Sequence, residues 1–366
     1  MAEQSGENLI QKLDSNMSIN PIEDQGIKWL SPMEAPFRIL GFPWLSKERT
    51  YRRMPMVCTP PIPEAVNYLA NCTAGGQIHF QTDSKELLIA VQLQAPANMV
   101  HMPATGQCGF DCYVDFGHGD GFQFCNVTRY PLEQDHYKIQ LLDLESSKMR
   151  KVILNFPLYQ GVKEVFIGVQ KDATILGSSD FQQNPLIFYG TSITQGGCAS
   201  RPGLAYTNIL SRYLQRECIN LGFSGNGKGE AEVAKVISSI PNPGGLILDY
   251  EANCMSTELY KQTLPKFIHT YRKVHPLVPI LVISRIQSSM DIISPTFHEE
   301  RLERKEFQKS WIHEEQKNGD QNLHFYDGSY LLGEQWLEGT VDGVHPTDLG
   351  FMSMANTLYP VIREIF

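Results

Sequence analysis

The sequence predicts a two-part protein, an all-β jelly-roll or sandwich region followed by an α/β region built on a parallel five-stranded sheet. Three observations carry that prediction. A chain of 366 residues exceeds the usual size of one domain. Up to about residue 180, short apolar runs are separated by clusters of Gly, Pro, Asn and Thr, the pattern of a sandwich or barrel. From 181 onward, strand-like runs alternate with helical patterns, as in a parallel sheet covered on both faces. The expected division is therefore 1–180 and 181–366.

In the first region the expected strands are 87–93, 112–116, an alternating run at 137–142, then 152–156 and 165–169. The stretch 55–63 holds four prolines and cannot be a central strand. The sequence GHGDG at 117–121 reads as a tight hairpin turn, with His118 a turn residue. Such a region could bind sugar, pack against its neighbour, or lend loops to the mouth of an active site.

In the second region the expected strands are 186–189, 219–223, 246–250, 280–284 and 323–326. Helical patterns fill 205–216, 230–240 and 256–274, and a last helix runs over 349–365 with Asp348 as its cap. The stretch 286–319 is long and charged. It reads as a linker with an exposed amphipathic helix carrying Leu302, Phe307 and Trp311. His298 and His313 each precede two acids without forming HExxH, so both read as surface residues.

Composition narrows the function classes. A net charge of -9 with no basic stripe argues against nucleic acid. Arg52-Arg53 and 148–151 are the densest basic spots and read as solvated faces. The first residues carry acids and amides without an apolar core region, which is not a secretory signal. No apolar run approaches the ~18 residues of a membrane helix. A cytoplasmic protein is expected, so the Asn-x-Thr sequons at Asn71 and Asn126 carry no weight and the eight cysteines should be free thiols. Cys108 and Cys112 are the one close pair and a poor zinc signal, so neither metal nor cofactor is called for.

The chemistry gathers in loops after the strands. The first strand runs through Gly190 into a small-residue turn that places Ser192. Ligands in open α/β sheets bind at such carboxyl ends, and a hydroxyl held there is a nucleophile if a histidine reaches it. A serine that merely turns the chain is the plainer alternative. After the second strand come Gly222, Gly225, Gly227 and Gly229, after the third comes Asn253, and near the end Asp342 and His345 stand three apart. Together they suit acyl transfer. Ser192 would attack a carbonyl, His345 take its proton, and Asp342 hold the imidazole. The oxyanion would meet the N–H of Ser192, the N–H of Gly225 and the amide of Asn253, each such donor being worth roughly 3–4 kcal/mol. Two rivals remain. GFSGNGKG after a strand, with Asp249 ending the next, could bind a nucleotide, although that leaves Ser192, Asn253 and His345 without a role. A catalytically silent sugar-binding protein would make the β-region the working part.

With these residues in place, the second region resembles the SGNH (GDSL-like) hydrolase family. Gly190-Thr191-Ser192-Ile193 is similar to its nucleophile block, and 220–225, ending Ser224-Gly225, to its second. Glu251-Ala252-Asn253-Cys254 keeps the asparagine of the third, and Asp342 with His345 matches the D-x-x-H block in full. In the first region, 109–113 is similar to the G-x-D-L-Y motif of a β-domain fused ahead of some of these enzymes. The resemblance implies a flavodoxin-like catalytic fold, Ser192, Asp342 and His345 as catalytic residues, and an oxyanion hole of Ser192, Gly225 and Asn253. It implies a serine esterase of small O-acyl esters, acetyl esters of carbohydrates being the expected class. The alternatives are an acyltransferase using the same serine, or a lipase- or thioesterase-like acyl hydrolase. Thr191 and Cys254 replace the family's usual aspartates and would reshape the pocket. Arg201 reads as stiffening the loop after the nucleophile, or else as binding substrate. The expected partner is a small acyl ester, an acylated sugar included. Neither nucleic acid nor membrane is expected, and a homo-oligomer stays open.

Overall fold

A computed structural model describes residues 25–178 and 181–366. The expectation about a secretory signal, and the boundary at residue 180, fall outside the described residues. The antiparallel half consists of β1 (Ile27–Leu30), β2 (Arg38–Leu40), β3 (Gln77–Thr82), β4 (Glu86–Leu93), β5 (Asp111–Asp115), β6 (Gln123–Val127), β7 (His136–Asp143), β8 (Arg150–Asn155), β9 (Val162–Gln170) and β10 (Ile175–Leu176). One sheet has the order β1-β9-β4-β7. The other has the order β10-β3-β8-β5-β6, with β2 beside β3. Ile89, Val91 and Ile167 of the first sheet and Phe80, Val114 and Leu154 of the second share one core, which makes a sandwich.

The parallel half contains β11 (Leu186–Gly190), β12 (Cys218–Gly222), β13 (Gly245–Asp249), β14 (Ile280–Ile283) and β15 (Leu323–Tyr326), in the order β12-β11-β13-β14-β15. This is the flavodoxin-like order, whose switch point lies between the first and third strands. Both faces of the strands are buried: Ile187 and Tyr189 enter one core, Leu186 and Phe188 the other. That is why these strands read as continuous apolar runs rather than alternating ones.

The helices are α1 (Glu64–Leu69), α2 (Ala104–Gln107), α3 (Ser192–Gln195), α4 (Tyr206–Leu214), α5 (Ala231–Ser238), α6 (Thr257–Arg272), α7 (Pro295–Lys317) and α8 (Asp348–Ile365). Among the described residues, no helix is long and apolar enough to cross a membrane. All eight cysteines are free.

Four expectations are corrected. The GHGDG stretch is not a tight hairpin: β5 and β6 are joined by the whole of 116–122, with Gly117, Gly119 and Gly121 all at positive φ. Helix α7 is not an exposed linker helix. Its buried residues are Arg301, Arg304, Gln308 and Ile312, while Leu302 is exposed. The polar face points inward because buried acids wait there: Arg301 Nε donates to Asp291 at 2.5 Å and Gln308 Nε2 to Glu251 at 2.8 Å. Asp348 opens α8 but does not cap it; its carboxylate accepts from the amide and hydroxyl of Ser200 at 2.8 and 2.5 Å. Arg52 and Arg53 are buried rather than solvated, and Arg53 is wholly enclosed by backbone carbonyls.

Candidate active site

Register brings the strand ends level. Gly190 lies opposite Gly222 on one side and Asp249 on the other. Ser192, Gly225 and Asn253 therefore all sit within a few residues of one rim, at the switch point. Two of these positions require glycine. A Cβ on Gly190 would run into Thr194 and the Asp249 carbonyl, and one on Gly222 into the backbone of 194–195. Helix α3 can settle on the strand ends only because both are bare. The Thr191 hydroxyl caps it, accepting from the Ile193 amide.

Ser192 is 7% exposed, and its Oγ lies 2.8 Å from His345 Nε2. His345 Nδ1 lies 2.7 Å from Asp342 Oδ2. A proton on Nδ1, facing the carboxylate, leaves Nε2 as acceptor for the serine hydroxyl. The D-x-x-H spacing works through the backbone. Asp342 Oδ1 accepts from the amides of Val344 and His345 at 3.0 and 2.8 Å, so the carboxylate folds back beneath its own histidine. Burial opposes ionisation of Asp342, but those amides and the His345 ring outweigh it and hold the carboxyl below the usual carboxylate range. Pro346 bridges to Thr340 and fixes the loop.

Gly225 has φ +63° and is exposed on the loop after β12. Among the described residues its N–H, like that of Ser192, meets no acceptor. Ser224 donates its amide to Gln195 Oε1 at 3.0 Å, which ties this loop to α3. The Asn253 side-chain amide donates to the carbonyls of Phe223 and Asn226, and so braces the same loop. On its outer side the loop borders a groove of about 590 Å³ lined by Glu64, Tyr68, Ser224 and Asn226. Neighbouring Cys198 is no rival nucleophile, since burial first and then Asp342 push its thiol up to about 11.

Some members of the site were not foreseen. Tyr159, from the antiparallel half, donates its hydroxyl to the Ser192 carbonyl at 3.2 Å. His101, also from that half, lies beside His345 with ring centroids 6.2 Å apart. Neither carried a local signal, because each is an isolated residue brought in by packing. Gln195 was signalled only by its place in the nucleophile turn. Arg201 does stiffen its loop: Nη1 donates to Asp111 Oδ2 at 3.0 Å and to the Tyr113 hydroxyl at 2.5 Å, and the guanidinium stacks on Phe124. Asp111 and Tyr113 are the D and Y of the motif at 109–113, which thus acts as a clasp for the nucleophile loop.

The nucleotide reading finds no support in the glycine loop. The amides of Ser224, Asn226, Lys228 and Gly229 are taken by Gln195, Phe223, Glu230 and Tyr189. Asp249 accepts from Thr194 and Tyr206 instead of facing a ribose. Among the described residues, no group of three or more His, Cys, Asp or Glu converges as a metal site.

A two-part fold with serine and histidine facing each other at a flavodoxin-like switch point defines a class, and comparison with known proteins agrees. Residues 183–363 match the GDSL-like lipase/acylhydrolase family, and residues 27–175 match the N-terminal domain of SGNH hydrolase-type esterases. A Bacteroides ovatus protein named as a GDSL-like lipase is 30% identical with TM-score 0.84, the match covering 93% of this chain and 98% of that one. A salicylyl-acyltransferase from a tetracycline biosynthetic pathway is 20% identical with TM-score 0.77, over the same shares of the two chains. A family two carbohydrate esterase from Cellvibrio japonicus is 14% identical with TM-score 0.60, again over 93% and 98%. No curated protein sequence matches the chain. The chain belongs to the SGNH (GDSL-like) hydrolase family, in the group that carries a GxDLY-type domain ahead of the hydrolase domain.

Proposed function

We propose that the chain is a serine esterase that removes small acyl groups, acetyl foremost, from hydroxylated alcohols such as sugars, through an acyl-enzyme. The observation that carries this reading is the relay from Ser192 Oγ to His345 Nε2 at 2.8 Å and from Nδ1 to Asp342 at 2.7 Å. Ser192 attacks the ester carbonyl as His345 takes its proton, and the cation formed faces Asp342. The oxyanion is met by the amides of Ser192 and Gly225. The Asn253 amide joins them by turning from the Asn226 carbonyl. His345 then protonates the leaving alcohol, and water repeats the sequence in reverse. Purified protein is expected to hydrolyse p-nitrophenyl acetate, and Ser192→Ala to lower kcat by at least about a thousandfold. Turnover retained in Ser192→Ala would overturn the assignment.

A second reading, acyl transfer to an alcohol, uses the same serine. The near-complete burial of Ser192, at 7% exposure, favours it, because a sheltered acyl-enzyme survives long enough to meet an acceptor. Product analysis with added polyol separates the two: free acid marks hydrolysis, a new ester marks transfer.

A further inference from the structure

His101 sits on a loop of the antiparallel half that is built to hold it. Gln107, 1% exposed, accepts from the amides of Asn98 and Met99 at 3.0 and 3.1 Å, and donates to Asn98 Oδ1 at 2.8 Å. On the other side, Met102 is buried in the core shared with the parallel half. Thr105 then donates its hydroxyl to the Ser200 carbonyl at 2.6 Å, and Gly106 packs so closely on the Ala199 carbonyl that a Cβ would collide with it. His101 is thus fixed between two anchors, the second resting on the segment that follows Ser192. Its ring is exposed, inclined 61° to that of His345, and among the described residues its nitrogens have no hydrogen-bond partner.

Position decides which part of a substrate this ring meets. His345 must deliver its proton to the leaving oxygen, so a side chain against the open side of the His345 ring borders the alcohol and not the acyl group. An imidazole there has one nitrogen to donate and one to accept, which suits a hydroxyl. We infer that His101 is a specificity-determining residue that hydrogen-bonds a second hydroxyl of the leaving alcohol, so that esters of polyhydroxy alcohols are selected over esters of plain alkanols. This rests on the serine esterase reading.

Two esters that differ by one hydroxyl, 2-hydroxyethyl acetate and ethyl acetate, test it. The readout is the ratio of their kcat/KM values in wild type, His101→Phe and His101→Gln; comparing ratios between proteins cancels the difference in intrinsic reactivity. The ratio is expected to fall about three- to tenfold in His101→Phe, the loss of one hydrogen bond, and to be largely kept in His101→Gln, which retains a donor and an acceptor. A ratio equal in wild type and His101→Phe would overturn the inference. Ser192→Ala assayed on both esters separates the layers. If it still turns over either ester, the serine reading fails. If it is silent while the ratio does not move, only the role of His101 fails.

Discussion

Beneath the serine lies a carboxyl outside the proton relay. Asp249 closes β13 and accepts from the hydroxyls of Thr194 and Tyr206 at 3.1 and 3.0 Å. Through Thr194 it holds the short helix that begins with Ser192, so it is a positioning residue. Burial raises its pKa to about 7, with help from Glu251 and against the two hydroxyls. An unfolded aspartate titrates near 3.9. The native state therefore binds this proton more tightly, its contribution to stability is complete at low pH, and that contribution is lost as pH rises from about 4 through 7. Asp249→Asn keeps an acceptor for both hydroxyls and does not ionise. The stability difference between variant and wild type is expected to shift toward the variant by on the order of 2 kcal/mol between pH 5 and 7. Urea midpoints across that range measure it, and parallel curves would rule it out. The comparison matters because Asp111, Glu217 and Glu251 are also raised by burial and tilt the common background.

At the scale of an element, the segment from α3 to α4 is held by the opposite half of the molecule. Asp111 is fully buried and takes Arg201 Nη1, the Gly203 amide at 2.7 Å and Asn155 Nδ2 at 2.7 Å. Arg201→Ala would leave that carboxylate without its cation, an expected cost of about 3–5 kcal/mol, whereas Asp111→Asn with Arg201→Ala should cost clearly less than the sum of the single changes. A double-mutant cycle in urea checks this, and additive losses would count against the clasp. The strand ends and the D-x-x-H turn were legible in the sequence because their signals are local: an apolar run ending in glycine, or an aspartate whose own backbone carries the histidine. The inward face of α7 was not. Apolar periodicity points to Leu302, Phe307 and Trp311, but Glu251 and Asp291, brought there from elsewhere in the chain, draw Arg301, Arg304 and Gln308 inward. Tyr159 and His101 escaped for a related reason, since sandwich packing rather than spacing sets them beside Ser192 and His345.

Over the whole molecule, the two halves share their interior. Met54, Ile62, Val66 and Ala70 complete one core of the parallel sheet, and Ala74, Met102 and Leu158 the other. Arg53, 0% exposed, is the centre of that junction. Its Nε donates to the Cys72 carbonyl at 2.7 Å and Nη2 to Leu69 at 2.8 Å within its own half. Nη1 crosses to the carbonyls of Gly222 at 2.6 Å and Asn220 at 3.2 Å. The guanidinium also lies 4.8 Å from the centre of the Phe223 ring. Burial lowers its pKa to about 10, so the charge persists at neutral pH, held by carbonyl dipoles and the ring with no carboxylate among these partners. The carbonyl of Gly222 stands at the root of the loop that carries Gly225, so this one side chain joins the sandwich to the oxyanion side of the site. Arg53→Met fills similar volume but leaves four carbonyls unpaired, and is expected to lose about 3 kcal/mol or more. Because the cores are shared, the loss should appear in one cooperative transition. Aromatic fluorescence, far-ultraviolet circular dichroism and esterase activity are expected to vanish together, at a lower urea concentration than in wild type. Two separated transitions, with activity outlasting the loss of β-structure, would mean that the parallel half stands alone and that Arg53 is not the junction between them.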